Sequence, residues 1–257
     1  MVKKLFLLLV IVPLSSLAAD SPTHWTTISD DLEQYQVSQE AAALFEKELL
    51  LFRTSLRRFR IGVVRAREFG KNRSDVKTLA ESSNAALLVN ANFFDEQDKA
   101  LGLIVGRGNT YQAIHRGGDT LTGIFQIKKN HPSIIYRSSY LPEGVIEAVQ
   151  AGPRLLAGGR VVPGLRDRSG PTRRAGICID QIERVIFFCT APGLGGVAIE
   201  ELQQILLSDK IGCREALNLD GGGSAQLYVN VDLHQKSEVF LKGRDEVPVA
   251  IGLFPLK

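Results

Sequence analysis

Short apolar runs of strand length, punctuated by Gly, Pro and Asn, recur from Glu48 to Phe254 and set the main constraint on how this chain can fold. The segments ELLLFRT (48–54), RFRIGVVRA (58–66) and AALLVNANFF (85–94) are rich in aliphatic, β-branched and aromatic residues, a composition that suits strands. LGLIVGRG (101–108), TGIFQIKK (122–129) and SIIYRSS (133–139) repeat the pattern. AGICIDQIERVIFFCT (175–190) reads as a hairpin turning through Asp180 to Arg184. ALNL (216–219), AQLYVNV (225–231) and VPVAIGLF (247–254) complete the set. Only IEELQQILLS (199–208) spaces its apolar residues clearly for a helix, with acids in the first turn. A shorter helix is expected from Ser74, as cap, through Ser83, with Lys77 and Leu79 inside it. Strands outnumber helices and do not alternate with them regularly, which excludes a doubly wound fold. The expected class is α+β: a single domain with a mixed, strand-rich sheet packed by a few helices.

The first twenty residues, MVKKLFLLLVIVPLSSLAAD, place two lysines before a short apolar run and then small residues. This succession is that of a secretory signal peptide over 1–18, cleaved after Ala18, and the run is short for a membrane span. Residues 19–47 then form a lead-in, with 20–30 expected to be mobile and Trp25 a possible anchor, and 48–257 form the domain. The protein is therefore expected to be exported, periplasmic or secreted, without stable membrane insertion after signal cleavage. Without Lys3 and Lys4, 29 basic residues face 28 acidic ones, so bulk charge offers no basis for nucleic-acid binding. Export makes a disulfide among Cys178, Cys189 and Cys213 feasible, at most one, and leaves a thiol over. Their spacing forms no zinc pattern, and the four scattered histidines form no i, i+4 pair. No metal ligands and no cofactor are assigned, and any divalent-ion requirement stays open.

Chemistry concentrates in four stretches. In Asn218-Leu219-Asp220-Gly221-Gly222-Gly223-Ser224 a strand ends in a carboxylate followed by three glycines and a hydroxyl. Such a turn can bring backbone N–H groups to an anion, or it can be a tight hairpin in which Asp220 bonds its own backbone. It is neither a P-loop nor a nucleophile elbow. Asn90 and Asn92 alternate along a strand end, so their amides point the same way, ahead of Phe93, Phe94 and Asp95. Amides suit sugar hydroxyls and acetamido groups, or they cap the strand end. The third stretch is Gln150-Ala151-Gly152-Pro153-Arg154, and the fourth is the cluster Arg166, Arg168, Arg173 and Arg174. Arginine forks match phosphate, although dense runs of this kind commonly form a solvated face.

Four stretches in this order, LLVNANFFD, QAGPRLL, the strand from Arg174 to Ile179, and GCREALNLDGGGSAQLYV after the helix, resemble the phosphodiester glycosidase family. The resemblance runs from about Glu48 to Phe254. Asn90, Asn92, Asp95, Gly152, Arg154, Arg174, Asn218, Asp220, Gly221, Gly222 and Ser224 fall on the family pattern. Cys178 departs from it, standing where many members have Gly. The resemblance implies a hydrolase that releases a sugar from an N-acetylglucosamine-1-phosphodiester-like bond, in an envelope or exopolysaccharide glycan. Its substrate partner would be a glycan or sugar phosphodiester. In that reading Asp220 is the base or nucleophile and Asp95 the next choice. Arg154 and Arg174 hold the phosphate, with the Gly221–Gly222–Ser224 backbone as second holder, and Asn90, Asn92, Gly152 and Asn218 complete the substrate site. The competing reading is an exported phosphoglycan-binding module with the same pocket and no turnover.

Overall fold

The computed structural model describes residues 24–41, 45–167, 170–193, 195–230 and 238–256. Residues 1–18, expected to be a signal peptide, and Arg168 and His234 lie outside the described residues. The chain opens with β1 (Thr26–Ser29), β2 (Leu32–Ala41), β3 (Phe45–Thr54) and β4 (Phe59–Arg65). Helix α1 (Val76–Ser83) follows, then β5 (Leu87–Asn90), β6 (Ile104–Gly106), β7 (Asn109–Gln112), β8 (Gly123–Lys128) and β9 (His131–Tyr136). Next come β10 (Val145–Ala151), β11 (Arg154–Ala157), β12 (Arg160–Val161), β13 (Ala175–Asp180) and β14 (Val185–Thr190). Helix α2 (Ile199–Leu207), β15 (Cys213–Asn218), β16 (Leu227–Asn230), β17 (Glu238–Leu241) and β18 (Val249–Pro255) complete the described chain.

These strands build three sheets. An eight-stranded sheet runs β1-β2-β3-β14-β13-β15-β11-β12, and two five-stranded sheets run β7-β6-β10-β8-β9 and β17-β16-β5-β18-β4. The ladders within them are antiparallel, from β2 on β3 to β13 on β15 and β18 on β4. The expected mixed sheet is thus replaced by three antiparallel ones. The reason is connectivity: parallel neighbours need long crossovers, usually helical, and two short helices cannot supply them. Nor is 26–41 a lead-in at the level of structure, because it supplies two strands of the large sheet. Trp25 is anchored as expected, donating from Nε1 to Lys210 O at 2.9 Å, with the Arg53 guanidinium 4.0 Å from its ring centre.

The three sheets share one core. Leu50, Phe52 and Phe187 from the large sheet meet Phe125 and Val149 from the second and Leu87, Val89 and Ile251 from the third. Strand alternation sends the other faces outward under the helices. Leu49, Leu51, Ile186 and Phe188 pack with Leu202 and Leu206 of α2, and Leu88 and Ala250 pack with Val76 and Leu79 of α1. Helix α1 is capped by Asp75, which accepts from Thr78 N at 2.9 Å. The expected cap, Ser74, instead uses its backbone to bridge Val247, so the stronger carboxylate acceptor next to it takes the role.

Candidate active site

The large sheet places the ends of three adjacent strands side by side. Strand β15 lies between β11 and β13, with Leu217 opposite Arg154 on one side and Asn218 opposite Gly176 on the other. The end of β15 is tied both ways: Asn218 N donates to Pro153 O at 3.1 Å and Leu219 N to Ala175 O at 2.9 Å. Gly152–Pro153, just before β11, and Arg174, just before β13, therefore flank Asp220, just after β15, at strand spacing of roughly 4.8 Å each way. A cleft of about 580 Å³ opens over this edge, lined by Gly152, Pro153, Asn218, Asp220, Gly221, Gly222 and Arg174, with Phe93, Asp119, Thr120, Arg166, Asp167 and Thr172 around them.

Asp220 is the carboxylate at the centre. Burial is the main influence on it and pushes its pKa up to about 6, with the charge of Asp245 adding in the same direction. Hydrogen bonds from the Ser224 hydroxyl and Gly221 N–H pull the other way. Its backbone N–H is fixed on Ala91 O at 3.0 Å. The glycines that follow are steric necessities. Gly222 sits at φ +60°, and a Cβ on Gly223 would lie 1.9 Å from Asp245 Oδ2. Their N–H groups are largely spent inside the protein. Gly221 N serves Asp220, Gly222 N donates to Arg173 O at 2.9 Å, and Ser224 N to Gly221 O at 3.1 Å. A backbone cradle for phosphate is therefore not what this turn presents.

Arg174 supplies the cationic wall. Its buried side chain donates from Nε to Val197 O at 3.0 Å and pairs through Nη2 with Asp167. Burial lowers its pKa and nearby Glu200 raises it. Nε and Nη2 thus anchor the guanidinium, and among the described residues Nη1 has no partner and is left to a ligand. Asp167 also caps α2, accepting from Ile199 N at 2.7 Å where Ala198 has no side-chain acceptor to offer. Arg166 is exposed at the rim and has no hydrogen-bond or ion partner among the described residues.

The other expected site residues take structural positions. Arg154 does not line the cleft: its guanidinium pairs with Glu215, donates from Nε to Leu156 O at 3.2 Å and lies 4.4 Å from the Tyr136 ring centre. Asp95 closes a turn, its Oδ1 accepting from Gln97 N at 3.0 Å and Lys99 N at 2.9 Å. Asn90 is buried, donating to Asp220 O at 2.7 Å and accepting from Gln226 N at 3.0 Å. Asn92 is buried too, donating to Leu101 O at 3.0 Å and Gln150 O at 3.0 Å. Both amides brace the site from beneath. Asn218 spends its amide hydrogens on Gly152 O at 3.0 Å and Leu219 O at 2.7 Å, locking the two sides of the cleft floor together. Cys178 is buried on the α2 side of the sheet and disulfide-bonded to Cys213, with 5.9 Å between Cα atoms, so it does not crowd the site. Among the described residues no three of His, Cys, Asp or Glu converge to hold a metal ion.

Sequence reasoning missed Asp119, Asp167 and Asp245. Asp167 stands between two arginines of the cluster that drew attention, and an acid among bases is the signal for an internal pair. Asp119 follows Gly117–Gly118, a mark of a shaped loop. Nothing local marks Asp245, which reaches the site through its docking on Gly223.

Comparison with known proteins gives a consistent placement. The structure is similar to the catalytic domain of zebrafish N-acetylglucosamine-1-phosphodiester alpha-N-acetylglucosaminidase in its form auto-inhibited by pro-peptide. The TM-score is 0.66 at 15% identity, covering 91% of this chain and 86% of that one. It is also similar to a hypothetical protein from Synechocystis (TM-score 0.61, 17% identity, 88% of this chain and 62% of that one). A third likeness is to a candidate exported protein from Burkholderia pseudomallei (TM-score 0.54, 13% identity, 84% of this chain and 75% of that one). At these identities the likenesses establish the fold. No curated protein sequence matches significantly. The sequence model of the phosphodiester glycosidases matches residues 83–254, a span that contains β5 through most of β18 and the floor of the cleft. The chain belongs to the phosphodiester glycosidase family.

Proposed function

We propose that the protein is an exported hydrolase that cleaves the C1–O bond of a sugar-1-phosphodiester, of the N-acetylglucosamine-1-phosphodiester type, in an envelope or exopolysaccharide glycan. The observation that carries this reading is the pairing of Asp220, with a pKa near 6, with an anchored guanidinium one strand away. Above pH 6 Asp220 is mostly ionised and held in place by Ser224, ready to act at C1 as base toward water or as nucleophile. As the C1–O bond breaks, its electron pair goes to the phosphate oxygen. Arg174 Nη1 and Arg166 are the groups placed to stabilise that charge. A phosphate monoester leaves without strong protonation, so a dedicated acid on the leaving-group side is unnecessary. The disulfide between Cys178 and Cys213 supports folding in an oxidising compartment, and the likeness to a candidate exported protein supports the same setting.

The test is to incubate the purified protein with an aryl N-acetylglucosamine-1-phosphodiester and related sugar phosphodiesters and to measure free sugar. Release by the wild-type protein and its loss in Asp220→Asn is the expected result. Tight binding without release would make the protein a phosphoglycan-binding module.

A further inference from the structure

The proposed reaction needs the sugar as well as the phosphate to be held, and the strand order divides the cleft between them. The β13 side of Asp220 carries the Arg174 guanidinium, with Arg166 exposed at the rim, which is chemistry for an anion. The β11 side is different in kind. There the floor is Gly152–Pro153, and the backbone of Thr120 comes so close that a Cβ on Gly152 would lie 1.9 Å from Thr120 O. The wall above it is the loop 115–121, whose tip presents Asp119 and Thr120 to the cleft.

That loop is held by more than its own turn chemistry. Arg137 donates to Gly117 O, to Gly118 O at 2.7 Å and to Leu121 O at 3.3 Å. The buried Gln150 side chain donates to His115 O at 2.7 Å and Leu121 O at 2.9 Å, and accepts from His115 N at 2.8 Å. Two side chains from outside the loop thus fix both its ends. Asp119 gains nothing from this arrangement inside the protein: it is exposed and has no hydrogen-bond or ion partner among the described residues. A braced loop ending in an unpaired carboxylate at a cleft edge is arranged for something outside the chain. Phe93 also lines the cleft, on the segment tied to this side through Asn92 and Gln150 O. An aromatic side chain and a carboxylate acceptor suit a pyranose, which offers an apolar face and donating hydroxyls.

We propose that Asp119 is the sugar-recognition residue of the cleft, accepting hydrogen bonds from hydroxyls of the glycosyl unit while its phosphate lies on the Arg174 side. The proposal rests on the hydrolase reading above and adds to it a direction for the bound substrate. It also distinguishes Asp119 from Asp220: the first binds the sugar and the second acts at C1.

Calorimetric titration with two probes, N-acetylglucosamine 1-phosphate and inorganic phosphate, tests it without relying on turnover. The wild-type protein is expected to bind the sugar phosphate more tightly than phosphate. Asp119→Ala should weaken sugar-phosphate binding roughly ten- to hundredfold, the range of a lost hydrogen bond to a charged group, and leave phosphate binding unchanged. Arg166→Ala should weaken both probes alike. Because Asp119 is exposed and unpaired, its variant should melt with the wild type, and that measurement accompanies the titration. Unchanged sugar-phosphate affinity in a folded Asp119→Ala protein would overturn the assignment while leaving the hydrolase reading intact. Failure of the wild type to prefer the sugar phosphate over phosphate would also overturn the assignment, whereas the hydrolase reading stands or falls on sugar release from the phosphodiester.

Discussion

At neutral pH Asp220 carries a charge that its surroundings oppose, and this tension makes its role measurable. The folded-state pKa of about 6 lies above the ordinary carboxylate value of 3.8, so the folded protein binds the proton more tightly than the unfolded chain does. The stability linked to that proton is fully present below about pH 4 and is lost as pH rises through 6. Asp220→Asn removes the ionisation and retains an acceptor of nearly the same shape. We therefore expect the variant to melt at or above the wild-type temperature at pH 7.5, with the difference vanishing near pH 4. The same substitution should abolish most of the hydrolytic rate, because an amide neither takes a proton nor forms a glycosyl ester. In the wild type kcat/KM should climb with pH through about 6, as the ionised form becomes available. A variant that melts clearly below wild type at pH 7.5 and still turns over would reduce Asp220 to a turn residue.

Strand ends, more than single residues, build this site, and they determine how much of it could be read in advance. The hairpin of β13 and β14 and strands β5, β8 and β18 were legible because both of their faces are buried, which writes continuous apolar runs into the sequence, and helix α2 because its apolar residues recur at helical spacing. Strand β10 was not legible. Its buried Glu147 accepts from Val63 N at 2.9 Å and from Arg107 N at 3.1 Å, and its buried Gln150 serves the 115–121 loop, so polar letters hide a core strand. Strands β1 and β2 were hidden by their polar composition. The same limit applies to the arginines. Arg154 and Arg174 look equivalent as letters, but Arg174 turns toward the cleft, while Arg154 ties β11 to β15 through Glu215, which also accepts from Gly158 N at 3.0 Å. Removing one partner of so buried a pair typically costs roughly 3–5 kcal/mol. Arg154→Ala should therefore lose about 3 kcal/mol in denaturant unfolding and keep its kcat/KM at 25 °C. A stable variant with impaired turnover would return Arg154 to the substrate site.

Among the described residues, ladders such as β14 on β3 and β18 on β4 join strands far apart in sequence, and one covalent staple crosses the sheet that carries the site. The disulfide links β13 to β15 across a separation of 35 residues, on the face that packs against α2 and away from the shared core. Cys189, on β14, points to the opposite face, is fully buried, and has its thiol pushed up to about 12 by that burial. Its charge-favouring neighbour, Arg173, does not reverse this. A neutral, inaccessible thiol is a poor nucleophile, so Cys189 should react neither with alkylating agents nor with the disulfide while the fold is intact. Mass spectrometry after iodoacetamide treatment checks this in three arms: no label on the native protein, one label on the unfolded and unreduced protein, and three labels after reduction and unfolding. Reduction should also cost about 4 kcal/mol by releasing a loop of this length in the unfolded chain. For a domain of this size that corresponds to a fall in Tm of roughly 8–16 °C. The activity of the reduced protein at 25 °C should persist, because neither bonded cysteine lines the cleft. Labelling of the native protein, or three labels without reduction, would show that the thiol is accessible or the staple absent, and the account of a sealed core with one cross-link would fail.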